Sequence, residues 1–143
     1  MNHSASYVLA VALYGAGLFR DPAVGGALWP LYIGDMPDSP DKSAVVMDTA
    51  AKQDGRMMNT GESITHQGVQ LVLRSSSHEE GAAKAAALAA WADGLYGEAV
   101  TIDATVYTIQ NASRRGSPIF VGQDEGDHAR WLWSLNLTMT IRT

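Results

Sequence analysis

Cysteine is absent from the 143 residues. Disulfide frameworks, iron–sulfur clusters, thiolate zinc sites and thiol catalysis are therefore excluded, and a reducing compartment is permitted. Positive charge is scarce, with 10 Lys and Arg against 15 Asp and Glu and a formal charge of -5. Tight sequence-independent binding to a phosphate backbone needs cations that release condensed counterions, so nucleic acid is expected to be touched weakly or merely passed. Long apolar runs are missing too. The longest covers residues 7–19, short of the roughly 20 residues a bilayer-spanning helix needs, and no membrane partner is expected. Residues 1–4 supply no Lys or Arg for a basic leader, so a secretory signal is not expected either.

What the chain does have is 46% hydrophobic residues. A chain of this size buries about two-thirds of the surface its unfolded form exposes, enough for one core, and a single domain over 1–143 is expected. Leu9, Ala12, Leu13 and Ala16 fall at i, i+3, i+4 and i+7, predicting an N-terminal helix capped by Ser4 or Ser6 and fraying at Gly15 and Gly17. Two prolines and the Gly25-Gly26 pair predict a loop over 21–30, and residues 31–33 are a short strand candidate. Pro37, Pro40, Asp35, Asp38 and Asp41 then force a turn. An extended segment over 44–49 follows. Residues 50–68 are rich in Gly, Asn, Thr, Ser and Lys and read as a loop of roughly 18 residues, a length that is usually functional or ordered by a partner.

Val69, Leu71 and Leu73 alternate in a strand that ends at Arg74. Ser76 and Ser77 stand three residues before Glu79 and Glu80, two registers of a capping box, and open an alanine-rich helix over 79–96. Leu88, Trp91, Ala92 and Leu95 form its stripe, and Gly94 or Gly97 its stop. Val100, Ile102, Ala104 and Val106 predict one half-buried strand continuing towards Gln110, with a turn over 111–116 and a short strand over 117–122. Pro118 stands near the start of that strand, where a missing N–H does least harm. After a polar turn over 123–128, Trp131, Trp133, Leu135, Leu137, Met139 and Ile141 share one face of a final strand. This order predicts an α+β fold: a largely antiparallel sheet of about five or six strands, with the N-terminal helix and the long alanine-rich helix packed on one face.

Chemistry is hard to find. No two histidines share HExxH spacing, no Gly-x-Ser-x-Gly elbow occurs, and Gly15-Ala16-Gly17 neither follows a strand nor completes a nucleotide fingerprint. His3, in a fraying terminus, His66 and His78 read as solvated histidines. Asp124, Glu125, Asp127 and His128 are the sharpest candidate for a divalent-cation or acid–base site, against the alternative of a solvated turn. Asp35, Asp38 and Asp41 admit the same two readings. Arg114-Arg115, the only adjacent arginine pair, lies in a predicted turn. Met57 and Met58 stand in a polar loop, and Phe19 and Trp29 in loop-like surroundings; such side chains either build an adaptable interface or fold back onto the core.

Several of these segments, in this order, resemble the minor capsid or tail terminator (tail completion) proteins of long-tailed bacteriophages. The carriers are the N-terminal helix; residues 31–49 (LYIGDMPDSPDKSAVVMDT), where a Met-Pro-Asp-x-Pro-Asp turn precedes a strand ending in Asp-Thr; residues 68–95, a strand with Val-Gln and a terminal Arg74 before the alanine-rich helix; and residues 118–142, with a Gly-Gln-Asp-Glu-Gly turn and a Trp-Ser-Leu-Asn-Leu strand. Family members often look glycine-rich after the Asp-Thr, where this chain has Ala50-Ala51.

The resemblance implies a non-enzymatic virion protein without cofactor or metal, assembled in the host bacterial cytoplasm. It would form a homo-oligomeric ring, expected to be a hexamer, on the head-proximal end of the tail tube. That ring would end tube polymerisation and join the tail to the head–tail connector or stopper, with DNA passing through its channel. Under this reading the expected protein contacts are Arg56, Met57 and Met58 in the long loop, with Arg74, Arg114 and Arg115 as pairing residues. A stopper or other neck protein, and a small metal- or ligand-binding α+β module built on the 124–128 cluster, are the alternatives.

Overall fold

The computed structural model describes residues 2–123 and 130–143; the 124–128 cluster lies outside them. The chain opens on a helix, α1 (Ala5–Ala16), followed by β1 (Leu31–Ile33), β2 (Ser43–Arg56) and β3 (Ser63–Ser75). The second helix, α2 (His78–Asp93), precedes β4 (Glu98–Ile102), β5 (Thr105–Arg114), β6 (Ile119–Gln123) and β7 (Trp131–Arg142). The seven strands make one sheet in the order β1-β2-β3-β7-β5-β4, with β6 also on β7. Among the described strands only the β1–β2 pair is parallel, so the expected α+β class holds and the sheet is mixed, one strand larger than foreseen. Both helices contribute to one continuous hydrophobic cluster with the inward residues of β3 and β7.

The helix ends follow local chemistry. The Ser4 hydroxyl accepts from the Tyr7 N–H at 3.2 Å, settling the cap between Ser4 and Ser6. The helix runs through Gly15 and stops at Gly17, whose φ of 75° is the left-handed conformation glycine adopts without steric cost. Leu9, Ala12 and Leu13 are buried as the stripe requires, while Ala16 is exposed. Ser77 caps α2 through the Glu80 N–H. Glu80 itself turns to Lys42, so the capping box is only half made. Gly94 ends the helix in a right-handed conformation, and Leu95 is buried just beyond the helical turns rather than within them.

Strand β7 is central. β3 lies along one side over its whole length, and the other side is shared by β5 at the Arg142 end and β6 at the Trp131 end. Leu135, Leu137, Met139 and Ile141 are buried against the helices, as their alternation predicted.

Three expectations are corrected. Residues 50–68 are not a loop: β2 and β3 pair from Ser43↔Arg74 out to Arg56↔Ser63, leaving residues 57–62 as the turn. The outer part of β2 is exposed on both faces, so nothing selects apolar alternation there. Register shifts between Asp48 and Ala51 and between Gln53 and Gly55 break the period further. The strand expected from Val100 to Gln110 is a hairpin that turns at Asp103 and Ala104, with φ of 48° and 66°. The turn resets the inward phase, so Tyr107 and Ile109 are buried while Val106 is exposed. Finally, the turn expected over 111–116 is mostly strand, since β5 continues to Arg114.

Tyr14 ties α1 to β1, its hydroxyl donating to the Leu31 carbonyl at 2.7 Å. Burial, with smaller contributions from the Asp21 charge and Tyr7, raises its pKa from 10.0 to about 12. The neutral phenol is favoured by the fold, so this stabilisation is complete below pH 10 and is lost as the pH climbs from 10 towards 12. Two pKa units correspond to about 2.7 kcal/mol; solvent at the partly exposed ring reduces this to about 1 kcal/mol. Thermal melts across that window are expected to show a fall in Tm that Tyr14→Phe removes.

Candidate interaction surfaces

The β2–β3 hairpin carries Arg56, Met57 and Met58 at its far end. Met57 N–H donates to the Glu62 carbonyl at 2.8 Å and Gly61 N–H to the Met57 carbonyl at 2.9 Å, with Gly61 at φ 72°. This closed turn leaves Met58 fully exposed and Met57 partly so. On the arm, His66 holds Asp54 at 2.6 Å and Thr140 at 3.2 Å, and Arg142 pairs with Glu62 at 3.5 Å. Lys52 and Arg56 are exposed and make no ion pair among the described residues.

The other expected contact residues are not equivalent to these. Arg74 is buried and turned inward: its guanidinium donates to the carbonyls of Pro37 at 2.7 Å, Pro40 at 2.6 Å and Asp41 at 3.2 Å. It clamps the protein's own turn. Arg130, equally buried and not anticipated from sequence, holds the same turn through Asp38 and Asp41, each at 3.0 Å. Two of the three aspartates of the candidate cation cluster are thus paired with an arginine. Arg114 lies in β5 rather than in a turn and grips Asp93, at the end of α2, with two bonds of 2.7 and 2.8 Å. These hydrogen bonds to the carboxylate raise its pKa further. Arg115 remains exposed, and among the described residues it bonds only through its backbone N–H, to the Asn136 carbonyl at 3.2 Å.

Of the ambiguous aromatics, Phe19 is buried in the core and Trp29 packs partly against it. Lys84 crosses them, its ammonium 4.6 Å from the Phe19 ring centroid and bonded to the Leu18 carbonyl, and burial lowers its pKa. The histidines are more engaged than their expected solvated state. His3 stacks on Tyr7 and bonds the Tyr107 hydroxyl at 2.7 Å, holding down the terminus expected to fray. His78 sits 5.1 Å from Phe120 and 5.2 Å from Trp133, ring centre to ring centre.

A second surface escaped the sequence reading. Ile119, Phe120 and Val121 of β6 are all exposed, and among the described residues β6 pairs only with β7. A short apolar run normally reads as a buried strand; the signal of an edge was Pro118, since proline in a sheet belongs at edges. Phe120 leans on Trp133 and His78, next to which Glu79 stands exposed and without an ion pair among the described residues.

Small-molecule chemistry finds little support. Among the described residues no three His, Asp or Glu side chains converge on a possible metal position, and no helix is long and apolar enough to cross a membrane. A cavity of about 420 Å³ lined by Tyr96, Thr108, Gln110 and Arg142 contains neither carboxylate nor histidine.

No curated protein matches the chain. A family model described as bacteriophage tail terminator protein matches residues 12–143, taking in every strand of the sheet, α2 and the latter part of α1. By that match the chain belongs to the bacteriophage tail terminator family and is a structural component of the phage tail.

Proposed function

We propose that the protein is the subunit of a ring, with six copies expected, seated on the head-proximal end of the tail tube. The ring ends tube polymerisation and offers its opposite face to the head–tail connector or stopper. Family membership supports the tail role. The observation that carries the assembly reading is the β2–β3 arm, which ends in a fully exposed methionine beside cations that make no ion pair among the described residues. A monomer gains nothing from such a tip, whereas flexible thioethers and unspent cations suit a partner surface. Heterologous contacts between identical subunits close into a ring when the rotation between neighbours closes. The formal charge of -5 suits a channel that DNA traverses without sticking, and assembly takes place in the host bacterial cytoplasm.

Shortening the arm by deleting residues 55–61 tests this. The intact protein is expected to form rings in light scattering and negative-stain images, alone or on added tail tubes, and the shortened one to stay monomeric and leave tube ends bare. Unchanged rings and tail joining after the deletion would remove the arm from the assembly.

A further inference from the structure

We infer that the β6 edge receives the β2–β3 arm of a second copy of this chain, so that the sheet of one subunit continues into the next. This contact rests on the ring reading and specifies its lateral surface.

Two open strand edges belong to the same sheet. Among the described residues, β2 from Met47 outward pairs only with β3, and β6 pairs only with β7, so each leaves a row of backbone N–H and C=O groups on its outer side. Monomeric proteins blunt such edges with charges, bulges or coverings, because a bare edge pairs with another chain. Here β6 follows Pro118 and carries one register shift, between Phe120 and Gly122, but no charged side chain, and Ile119, Phe120 and Val121 are exposed along its edge. An added strand would pair the orphan backbone groups and cover that apolar strip.

The charges on the two edges are complementary. The arm brings Lys52 and Arg56, which have no ion pair among the described residues. The β6 strip is flanked by Glu79, adjacent to the His78 that packs on Phe120 and likewise without an ion pair among the described residues. A partner pairing Arg56 with Glu79 while Met58 covers Ile119 or Val121 meets apolar with apolar and cation with carboxylate.

One chain cannot make this contact with itself. Arg56 pairs beside Ser63, whose backbone bonds Thr143, at one end of β7, while β6 pairs with Trp131 to Ser134 at the other. Eleven strand steps separate those ends, about 35 Å. Donor and acceptor at opposite ends of one rigid sheet make a head-to-tail contact, the kind that builds rings rather than two-fold dimers.

The chain has no cysteine, so introduced thiols report only on each other. The variant Met58→Cys with Ile119→Cys, oxidised under conditions where the protein associates, is expected to give a ladder of covalent multimers up to the closed ring. Either cysteine alone is expected to stop at dimers. Arg56→Glu and Glu79→Arg should each lower association at least tenfold, and their combination should restore it; circular dichroism confirms that these exposed substitutions leave the fold intact. Rings that persist in both single reversals and yield no ladder would overturn this contact and leave the ring reading standing. A wild-type chain that stays monomeric at every concentration and on tail tubes would overturn both.

Discussion

Replacing Arg74 with methionine is expected to lower stability by about 3 kcal/mol, a drop of more than 5 °C in Tm for a domain of this size. Methionine keeps most of the aliphatic stem, so lost packing contributes little. What disappears is the charged fork that donates to the Pro37, Pro40 and Asp41 carbonyls. Hydrogen bonds from a charged donor contribute about 1.5–3 kcal/mol each, and some of that returns as water reaches the exposed turn. The loss should be local as well as global. Arg130 keeps its ion pairs to Asp38 and Asp41, so the turn is held from one side only. Hydrogen exchange over residues 34–42 should therefore rise in the variant well before the sheet opens. Protection unchanged over those residues would mean that Arg74 does not hold the turn.

The second large effect is expected at Gly68, where alanine should cost about 2–4 kcal/mol. Gly68 lies on β3 opposite the register shift between Asp48 and Ala51 of β2. A Cβ there would come 2.2 Å from Thr49 Oγ1 and 2.6 Å from the Ala50 carbonyl oxygen. The threonine can rotate away; the carbonyl belongs to the backbone and cannot move without opening the ladder. The strain falls where the arm leaves the body of the sheet. Gly68→Ala is thus expected to weaken ring formation along with thermal stability, whereas Gly61→Ala, in a turn with open space around it, should affect the arm tip alone. Equal Tm for Gly68→Ala and wild type, measured by calorimetry, would contradict this account.

These two residues mark what a linear reading sees and what it misses. Arg74 was recognisable as the end of an alternating strand, and its charge suggested a partner. The partner is the protein's own proline turn, more than thirty residues earlier in the chain, and no spacing rule connects them. Gly68 read as the end of a loop because the residues before it lack hydrophobic period. That period exists only where one face of a strand is buried, and the arm has no buried face.

The starts of the two helices to within a serine or two, the inward face of β7 and the turn around Pro37 and Pro40 were determined by the sequence alone, because capping, alternation and proline act within a few residues of chain. The family resemblance was legible for the same reason, being a succession of such local signatures. Pairing across the sheet, by contrast, was decided only in the tertiary structure. The bulged ladder that turned a loop into an arm, the phase reset at Asp103 and Ala104, and the exposure of Ile119, Phe120 and Val121 all depend on which strand lies alongside. Backbone hydrogen bonds carry no side-chain signature, and an apolar run reads the same whether its outer edge is covered or bare. The surfaces proposed here for assembly are therefore those where the local pattern and the final burial part company.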